Sequence, residues 1–342
     1  MTSRRRFLAA GAASLASLST AGWNGAFAQA APDLGAPTLP ENGVRRIPLG
    51  DAELLAINDG AARRPLTEGF VRNAALADVK SALAAGGLSQ DYLEISFTAF
   101  VVITPRHRIL MDTGNGEFGG PTSGRLLANL AQAGIAPESI DTVLISHFHG
   151  DHINGLRRRD GGWVFPKAQV MVPAAEWGFW MDDARMAAAP DAMKGAFQNV
   201  RRVFGPVADK LRRFEPGSEL VSGVKALPAP GHTPGHTLFE VTGRERRFVY
   251  LADLSNIPAL FVRQPEWSVQ FDMDAELARQ TRRRVLEEVA ESKALVGGYH
   301  FPFPAVGAHW VASRSARSSR CRCCCGRSHR TPAGPRPASP AR

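Results

Sequence analysis

Three absences limit what this chain of 342 residues can do. After the first 28 residues, no apolar run reaches the roughly 20 residues that a membrane-spanning helix needs, so we expect no stable membrane insertion. No cysteine precedes Cys321, which leaves the body of the chain without a cysteine metal ligand. Acidic residues are absent from residues 1–30 and 312–342, two segments that together contain eleven arginines.

The net charge of +9 therefore belongs to the two ends of the chain. Because eleven of the 41 Lys and Arg residues lie there, 30 basic residues face 32 Asp and Glu residues in between. A body with a slightly negative charge lacks the basic surface that a polyanion requires, so we predict no nucleic-acid partner. The shares of hydrophobic (44%) and charged (21%) residues are those of a globular protein.

The N-terminus has the pattern of an export signal. Arginines 4–6 and Phe7-Leu8 precede a short apolar segment, and Ala26-Phe27-Ala28 is a small-residue cleavage pattern. The arginine pair before Phe-Leu resembles a twin-arginine signal, which directs folded proteins to the twin-arginine translocase. We therefore predict a signal peptide at residues 1–28, a linker at 29–46 and a periplasmic or secreted mature protein.

The C-terminal segment 312–342 has no periodic apolar pattern and is rich in Arg, Ser, Pro and Cys. It contains all four cysteines, but their crowding into residues 321–325 fits the usual spacing of structural zinc sites poorly. This composition cannot bury enough apolar surface to offset chain entropy, so we predict a disordered tail. Its abrupt onset also fits a reading-frame change in GC-rich DNA.

Residues 47–311 alternate between strand and helix patterns, which predicts one α+β domain. The predicted strands are residues 52–58, 93–104, 108–111, 142–146, 224–227, 237–241, 248–251 and 294–297. The predicted helices are residues 123–133, 174–186, 191–214, with a break at Gly205-Pro206, and 274–292. This order favours two packed sheets with helices on the outside.

The main chemical signal is the segment His147-Phe148-His149-Gly150-Asp151-His152, which follows the predicted strand 142–146. Two histidines at positions i and i+2 of an extended segment point in the same direction. Four metal-competent side chains in six residues are costly to bury without a metal, because their polar atoms would lack partners. The segment therefore predicts a metal site.

Three further candidates also follow apolar strands: His232, Asp253 and His300. Each by itself could be an ordinary polar residue at the end of a strand. Together with the first segment they supply five histidines and two aspartates, a set that suits two divalent ions. We predict Zn²⁺ as the default, while Mn²⁺, Co²⁺ and Fe²⁺ also fit these ligands.

The segment from His147 to His152 matches the H-x-H-x-D-H signature, and the chain resembles the metallo-β-lactamase superfamily. Asp112, His232, Asp253 and His300 match the other motifs in order, and the resemblance extends over about residues 47–307. It implies an αββα sandwich of two mixed β-sheets with helices on the outer faces and the site at one edge.

The resemblance also implies roles for these residues. His147, His149 and His232 would hold one ion, Asp151, His152 and His300 would hold the other, and Asp253 would bridge both. Asp151 and Asp253 would be the catalytic carboxylates: a hydroxide shared by the ions attacks, and Asp151 returns a proton to the leaving group. Asp112, which could equally be a turn residue, would orient the site without binding metal. His236 matches no superfamily motif and is predicted to be structural.

A closer resemblance is to methyl parathion hydrolase and its lactonase-like relatives. It rests on the export signal and on the segments 116–120, 231–237 and 300–304. It implies an apolar substrate pocket at Phe118, Trp180 and Phe197, although aromatic residues so close together could equally be core. Such a pocket suits a small neutral ester, lactone or phosphotriester, and the family also leads us to expect a homodimer.

We therefore predict a dinuclear metal hydrolase that cleaves ester bonds, as an organophosphate hydrolase or a lactonase does. The alternatives are a β-lactamase or a glyoxalase-II-like thioesterase on the same scaffold, and an inactive product with an aberrant C-terminus. The position of Asp253 and the missing cysteine ligand argue against a β-lactamase. The absence of a basic cluster for glutathione argues against the thioesterase, and the unusual tail motivates the third alternative.

Overall fold

A computed structural model describes residues 33–308 of the chain. The predicted signal peptide, residues 1–28, and the predicted disordered tail, residues 312–342, lie outside the described residues. None of the helices within residues 33–308 is long and apolar enough to cross a membrane.

Two β-sheets organise the described residues. The first has seven strands that lie side by side in chain order: β1 Val44–Pro48, β2 Glu53–Pro65, β3 Tyr92–Ile103, β4 Arg108–Met111, β5 Thr142–Leu144, β6 Gln169–Pro173 and β7 Arg212–Phe214. The pairs β1–β2, β2–β3 and β3–β4 are antiparallel, whereas the pairs β4–β5, β5–β6 and β6–β7 are parallel. The sheet is therefore mixed.

The second sheet has six strands in the spatial order β13-β12-β11-β10-β9-β8. They are β8 Glu219–Val221, β9 Val224–Pro228, β10 Thr237–Thr242, β11 Arg247–Tyr250, β12 Leu295–Gly297 and β13 Val306–Gly307. Only the β11–β12 pair is parallel, so this sheet is also mixed.

Eight α-helices connect the strands within the described residues. They are α1 Leu76–Ala85, α2 Leu126–Gln132, α3 Gly150–Ile153, α4 Ala174–Trp180, α5 Asp183–Ala188, α6 Asp191–Phe204, α7 Pro258–Phe261 and α8 Ala275–Ser292. The longest, α8, is capped at its N-terminus by Asp274, whose side chain accepts a hydrogen bond from the backbone N–H of Leu277.

The alternation of side chains along each strand places apolar residues on both faces of the first sheet. Phe100 of β3 lies in the interface between the sheets, 5.3 Å from the ring of Phe248 and 5.2 Å from that of Tyr250. The next residue, Val101, joins a second core with α2, α4 and α6 on the outer face. The buried side of α8 packs with the second sheet. These layers confirm the predicted αββα sandwich.

The predicted element bounds differ from the structure in several places. Strand β1 begins at Val44, three residues before the predicted domain start, because it pairs with β2. The helix predicted at 191–214 ends at Phe204, and residues 212–214 form the edge strand β7 instead. Strand β6 and helix α1 were not predicted. Short strands such as β7 owe their conformation to pairing with a neighbour, which local periodicity does not report.

Candidate metal centre

Two parallel strand pairs bring the predicted ligands to one edge of the sandwich. Asp112 follows β4, and the segment from His147 follows β5, its parallel neighbour. In the second sheet, Asp253 follows β11 and His300 follows β12, which are also parallel. Because parallel strands end at the same edge, side chains that follow them converge.

The first ligand group contains the histidines of two loops. Nδ1 of His149 lies 3.1 Å from Nε2 of His147 and 3.0 Å from Nε2 of His232. Nε2 of His232 is in turn 3.2 Å from Oδ2 of Asp253. The four side chains offer ligand atoms that all lie within 4.8 Å of one another.

The second group lies on the other side of Asp253. It consists of Asp151, His152 and His300, whose ligand atoms also lie within 4.8 Å of one another. Oδ2 of Asp151 is 3.7 Å from Nε2 of His152 and 3.6 Å from Nε2 of His300. Helix α3 begins directly after His149 and carries Asp151 and His152 into this position.

The carboxylate of Asp253 lies between the two groups. Its Oδ1 is 3.1 Å from Nε2 of His152, and its Oδ2 is 3.1 Å from Nε2 of His300 and 3.2 Å from Nε2 of His232. Burial opposes a charge here, but the imidazoles of His300 and His152 lower the pKa of Asp253 well below its usual value. An ionised, shared carboxylate is suited to bridging two cations.

Hydrogen bonds prepare the histidine nitrogens for coordination. Nδ1 of His300 donates to the backbone oxygen of Ser96, and Nδ1 of His147 donates to Oγ of Ser146. Nδ1 of His152 donates to Asp112 in the same way. A proton held on Nδ1 leaves the lone pair of Nε2 free for a metal ion.

The arrangement fits divalent cations better than it fits protons. A ring nitrogen carries one proton or one lone pair, so Nδ1 of His149 cannot form good hydrogen bonds with both His147 and His232. Burial, the largest effect, lowers the pKa of His147 and His149 well below the usual value, so both imidazoles are neutral. Nε2 of His152 and Oδ1 of Asp253 are buried without an aligned hydrogen-bond partner. Five imidazoles and two carboxylates are ligands that zinc accepts.

Asp112 anchors the second group, although it lies outside the ligand set. Its Oδ1 accepts a hydrogen bond from the backbone N–H of Ser146 at 2.8 Å. Its Oδ2 accepts from Oγ of Ser146 at 2.7 Å, from Nδ1 of His152 at 2.8 Å and from the hydroxyl of Tyr250 at 2.6 Å. With φ of 59°, Asp112 turns the chain sharply at the end of β4, so it is both a turn residue and an orienting residue.

Asp272 anchors His232 in the first group, and sequence analysis did not predict it. Its Oδ1 lies 3.0 Å from Nδ1 of His232, and its Oδ2 lies 3.2 Å from Nη2 of the buried Arg282 on α8. Burial opposes protonation, but the carboxylates of Asp253 and Asp272 raise the pKa of His232 to about 9. A bound cation would satisfy this preference for positive charge. No motif marks Asp272, because its role depends on the docking of α8.

The glycine before His232 permits this docking. Gly231 has φ of 129°, and a Cβ atom at this position would lie 2.3 Å from the backbone nitrogen of Ala278 on α8. His236 holds the opposite side of the site: its Nε2 accepts the backbone N–H of Asp253, and its Nδ1 donates to Ala229. Burial lowers the pKa of His236 to about 3, in keeping with a neutral structural residue.

An open cavity of about 370 Å³ lies above the two groups. Apolar residues, polar residues and members of the ligand set line it: Arg64, Ile95, Phe97, Asn115, His149, Gly150, Asp151, Asp253, Asn256, Phe271 and His300. The ligand residues thus form the floor of the cavity, and Ile95, Phe97 and Phe271 form apolar parts of its walls.

The predicted substrate pocket is wrong in its residues. Trp180 and Phe197 are each only 1% exposed, because their rings pack together at 4.8 Å in the outer core beneath α4 and α6. Phe118 is partly exposed but lies under the guanidinium of Arg202, 3.8 Å from its ring centre, and does not line the cavity. Aromatic spacing on a helix cannot distinguish the face towards the sheet from a face towards substrate.

Comparisons with known proteins agree with this geometry. The sequence pattern of the metallo-beta-lactamase superfamily matches residues 95–298. The chain belongs to this superfamily. Its homologues include metal-dependent hydrolases, the lactonases, which act on ester bonds.

Several relatives cover most of the described domain. The structure of AidC, a dizinc quorum-quenching lactonase in complex with its product, has 28% identity and a TM-score of 0.74, covering 78% of this chain and 93% of AidC. The hydrolase AbOPH has 26% identity and a TM-score of 0.73, covering 79% and 94%. An N-acyl homoserine lactonase from a Bacillus species is 25% identical over 238 residues, which is 64% of this chain and 84% of the relative.

We predict that Asp112→Asn weakens the binding of added Zn²⁺, used as the probe ion, by about 10- to 100-fold, because an amide cannot accept from all the donors around Asp112. Competition with a zinc chelator measures this change. Asp141→Asn is a matched control, because Asp141 accepts from Arg108 at the opposite end of β4 and should leave zinc affinity unchanged. Equal affinities in the two variants would contradict the anchoring role of Asp112.

Proposed function

We propose that this protein is a dinuclear zinc lactonase that opens the lactone ring of small uncharged substrates and cleaves neutral phosphotriesters more slowly. The observation that carries the proposal is the Asp253 carboxylate, which lies 3.1 to 3.2 Å from imidazole nitrogens of both ligand groups at the floor of the open cavity. The similarity to lactonases supports the choice of a lactone over other esters.

The residues of the two groups are proposed to act as a ligand set. His147, His149 and His232 would hold one ion, and Asp151, His152 and His300 would hold the other, with Asp253 common to both. When bound, such ions supply Lewis acidity and ionise water near neutral pH. The remaining steps depend on the side chains of the chain itself.

The cavity walls are suited to an uncharged acyl group. Ile95, Phe97 and Phe271 provide apolar contact surface next to the ligand groups. Asn256, which is 4% exposed, also lines the cavity, and its amide oxygen has no hydrogen-bond partner among the described residues. The oxygen itself is buried, so a rotation of the Asn256 side chain would first have to bring it to the cavity, where it could accept the N–H of an acylated amino lactone and fix the orientation of the substrate.

Asp151 is placed to move the proton. Asp151 lines the same cavity, and its side chain is 25% exposed, whereas that of Asp253 is 6% exposed. The hydroxyl of Tyr299 donates to its backbone oxygen and fixes its position. Asp151 can therefore accept the proton lost by the attacking water and pass it to the alkoxide oxygen that is released when the ester bond breaks, which becomes the hydroxyl group of the opened product.

The proposed activity is tested with zinc-loaded protein beginning at Gln29 and a panel of N-acyl homoserine lactones and methyl-parathion-type triesters. We expect higher kcat/KM for lactones and a loss of about 10³-fold or more in Asp253→Ala, since the shared ligand is removed. Asp78→Ala, on the exposed side of α1, should be fully active. Faster cleavage of triesters would instead make the protein an organophosphate hydrolase.

A second prediction concerns substrate orientation. Asn256→Leu should raise KM for N-acyl homoserine lactones by about tenfold, the value of one hydrogen bond, with little change in kcat. A γ-lactone with an alkyl chain but no amide should show no such change. Steady-state kinetics on both substrates provide the measurement, and an equal rise in KM for both would exclude this role of Asn256.

We also propose export through the twin-arginine route, on the support of the pattern in residues 1–28 alone. The full chain expressed in a bacterium should appear in the periplasmic fraction with an N-terminus at Gln29. Changing Arg4 and Arg5 together to Lys should retain it in the cytoplasm. Unchanged fractionation of this variant would count against the twin-arginine route.

A further inference from the structure

Glu176 is a buried acid that no motif predicts and that none of the steps above uses. It lies on α4, it is 0% exposed, and its carboxylate is enclosed by backbone and side-chain donors. Oε2 accepts the backbone N–H of Phe148 at 2.9 Å and Nε1–H of Trp180 at 2.9 Å. Oε1 accepts the backbone N–H of Gly235 at 2.7 Å.

The two backbone donors belong to the two loops that carry the first ligand group. Phe148 stands between His147 and His149, and Gly235 follows His232 by three residues. A single carboxylate thus joins segments that are far apart in sequence, with one oxygen on each loop. The approach is close, because a Cβ atom on residue 235 would lie 2.5 Å from the backbone nitrogen of Glu176.

The second ligand group is held by other residues. His152 is fixed by Asp112, His300 donates to the backbone oxygen of Ser96, and Tyr299 donates to the backbone oxygen of Asp151. A substitution of Glu176 should therefore change the geometry of the first ligand group and leave that of the second group unchanged.

The chemistry of Glu176 argues for positioning rather than for core packing. Burial raises the pKa of this carboxyl group, while the Thr233 side chain and the backbone donors at Gly235 and Phe148 act in the opposite direction. An apolar side chain would fill the same space without this cost, but it would leave two backbone N–H groups of the ligand loops without partners. Only a group with two acceptor atoms can satisfy both loops at once.

We propose that Glu176 is the positioning residue that sets the distance between the His147–His149 loop and the His232 loop, and thereby the retention of the metal ion at the first group. This inference rests on the metal centre of the proposed function. Glu176 acts through the two loops and does not contact the substrate.

Zinc per chain and the rate of zinc transfer to a chelator test this inference on zinc-loaded protein. Glu176→Gln places an amide N–H₂ against one of the two backbone N–H donors of the ligand loops. We therefore expect this variant to release one of two bound zinc ions, the ion at the first group, about 10- to 100-fold faster than the unmodified protein does. Trp180→Phe is the matched control, because it removes a hydrogen bond to the same carboxylate and leaves both loop contacts in place. It should retain both ions at the unmodified rate.

A double variant identifies the ion that is lost. His300→Ala alone removes a ligand of the second group and should keep one tightly held zinc. Combined with Glu176→Gln, it should keep none, because both groups are then impaired. Two tightly held ions in Glu176→Gln, or an equal weakening of both ions, would overturn the proposal, the second result being that of a general packing role.

Glu176→Asp provides a second test if Glu176→Gln does not accumulate as folded protein. It keeps the charge but shortens the side chain by one methylene, so it cannot reach both loops and should also release one ion faster. Unchanged release would overturn the proposal. Since zinc release is measured without substrate, an inactive protein that binds two zinc ions would contradict the lactonase proposal and leave this one standing.

Discussion

The sharing of one buried carboxylate by two sets of imidazoles is the constraint on which the rest of the structure depends. Both oxygens of Asp253 lie 3.1 or 3.2 Å from ring nitrogens of His152, His232 and His300. So many polar atoms can be brought together away from water only when their charge and hydrogen bonding are satisfied, which metal ions of the right charge would do. The surrounding fold holds these groups in position against that cost.

Three buried acidic residues outside the ligand set hold the ligand residues and their loops in position, and each belongs to a different part of the fold. Asp112 at the end of β4 fixes His152 and Ser146, Asp272 before α8 fixes His232, and Glu176 on α4 joins two loops. Each acid accepts several hydrogen bonds, which offsets its burial and removes freedom from the loop that it contacts. The loops thus contain the ligand residues, and the sheets with their helices keep these loops rigid.

The floor and the walls of the cavity have different roles: the floor supports the reaction, and the walls determine which substrates fit. The floor is formed by the two ligand groups, so it indicates hydrolysis but does not discriminate among esters. The walls contain Phe97, Phe271 and Asn256, and they come from β3 and from loops of both halves. Differences among related hydrolases should therefore be sought in these walls rather than in the ligand set.

The sequence by itself determined the ligand types and the two packed sheets with outer helices, because the segment 147–152 is compact and the strands before His232, Asp253 and His300 have local patterns. The αββα architecture and the reaction class followed from the resemblance of these motifs to the superfamily. Only the tertiary structure decided which aromatic residues meet the cavity: Trp180 and Phe197 turned inward to the core, whereas Phe97 and Phe271 line the cavity. It also revealed Asp272 and Glu176, whose partners on the ligand loops lie 28 to 59 residues away in the sequence. Local periodicity reports how a segment folds, but the partner of a buried side chain is chosen by the packing of distant elements.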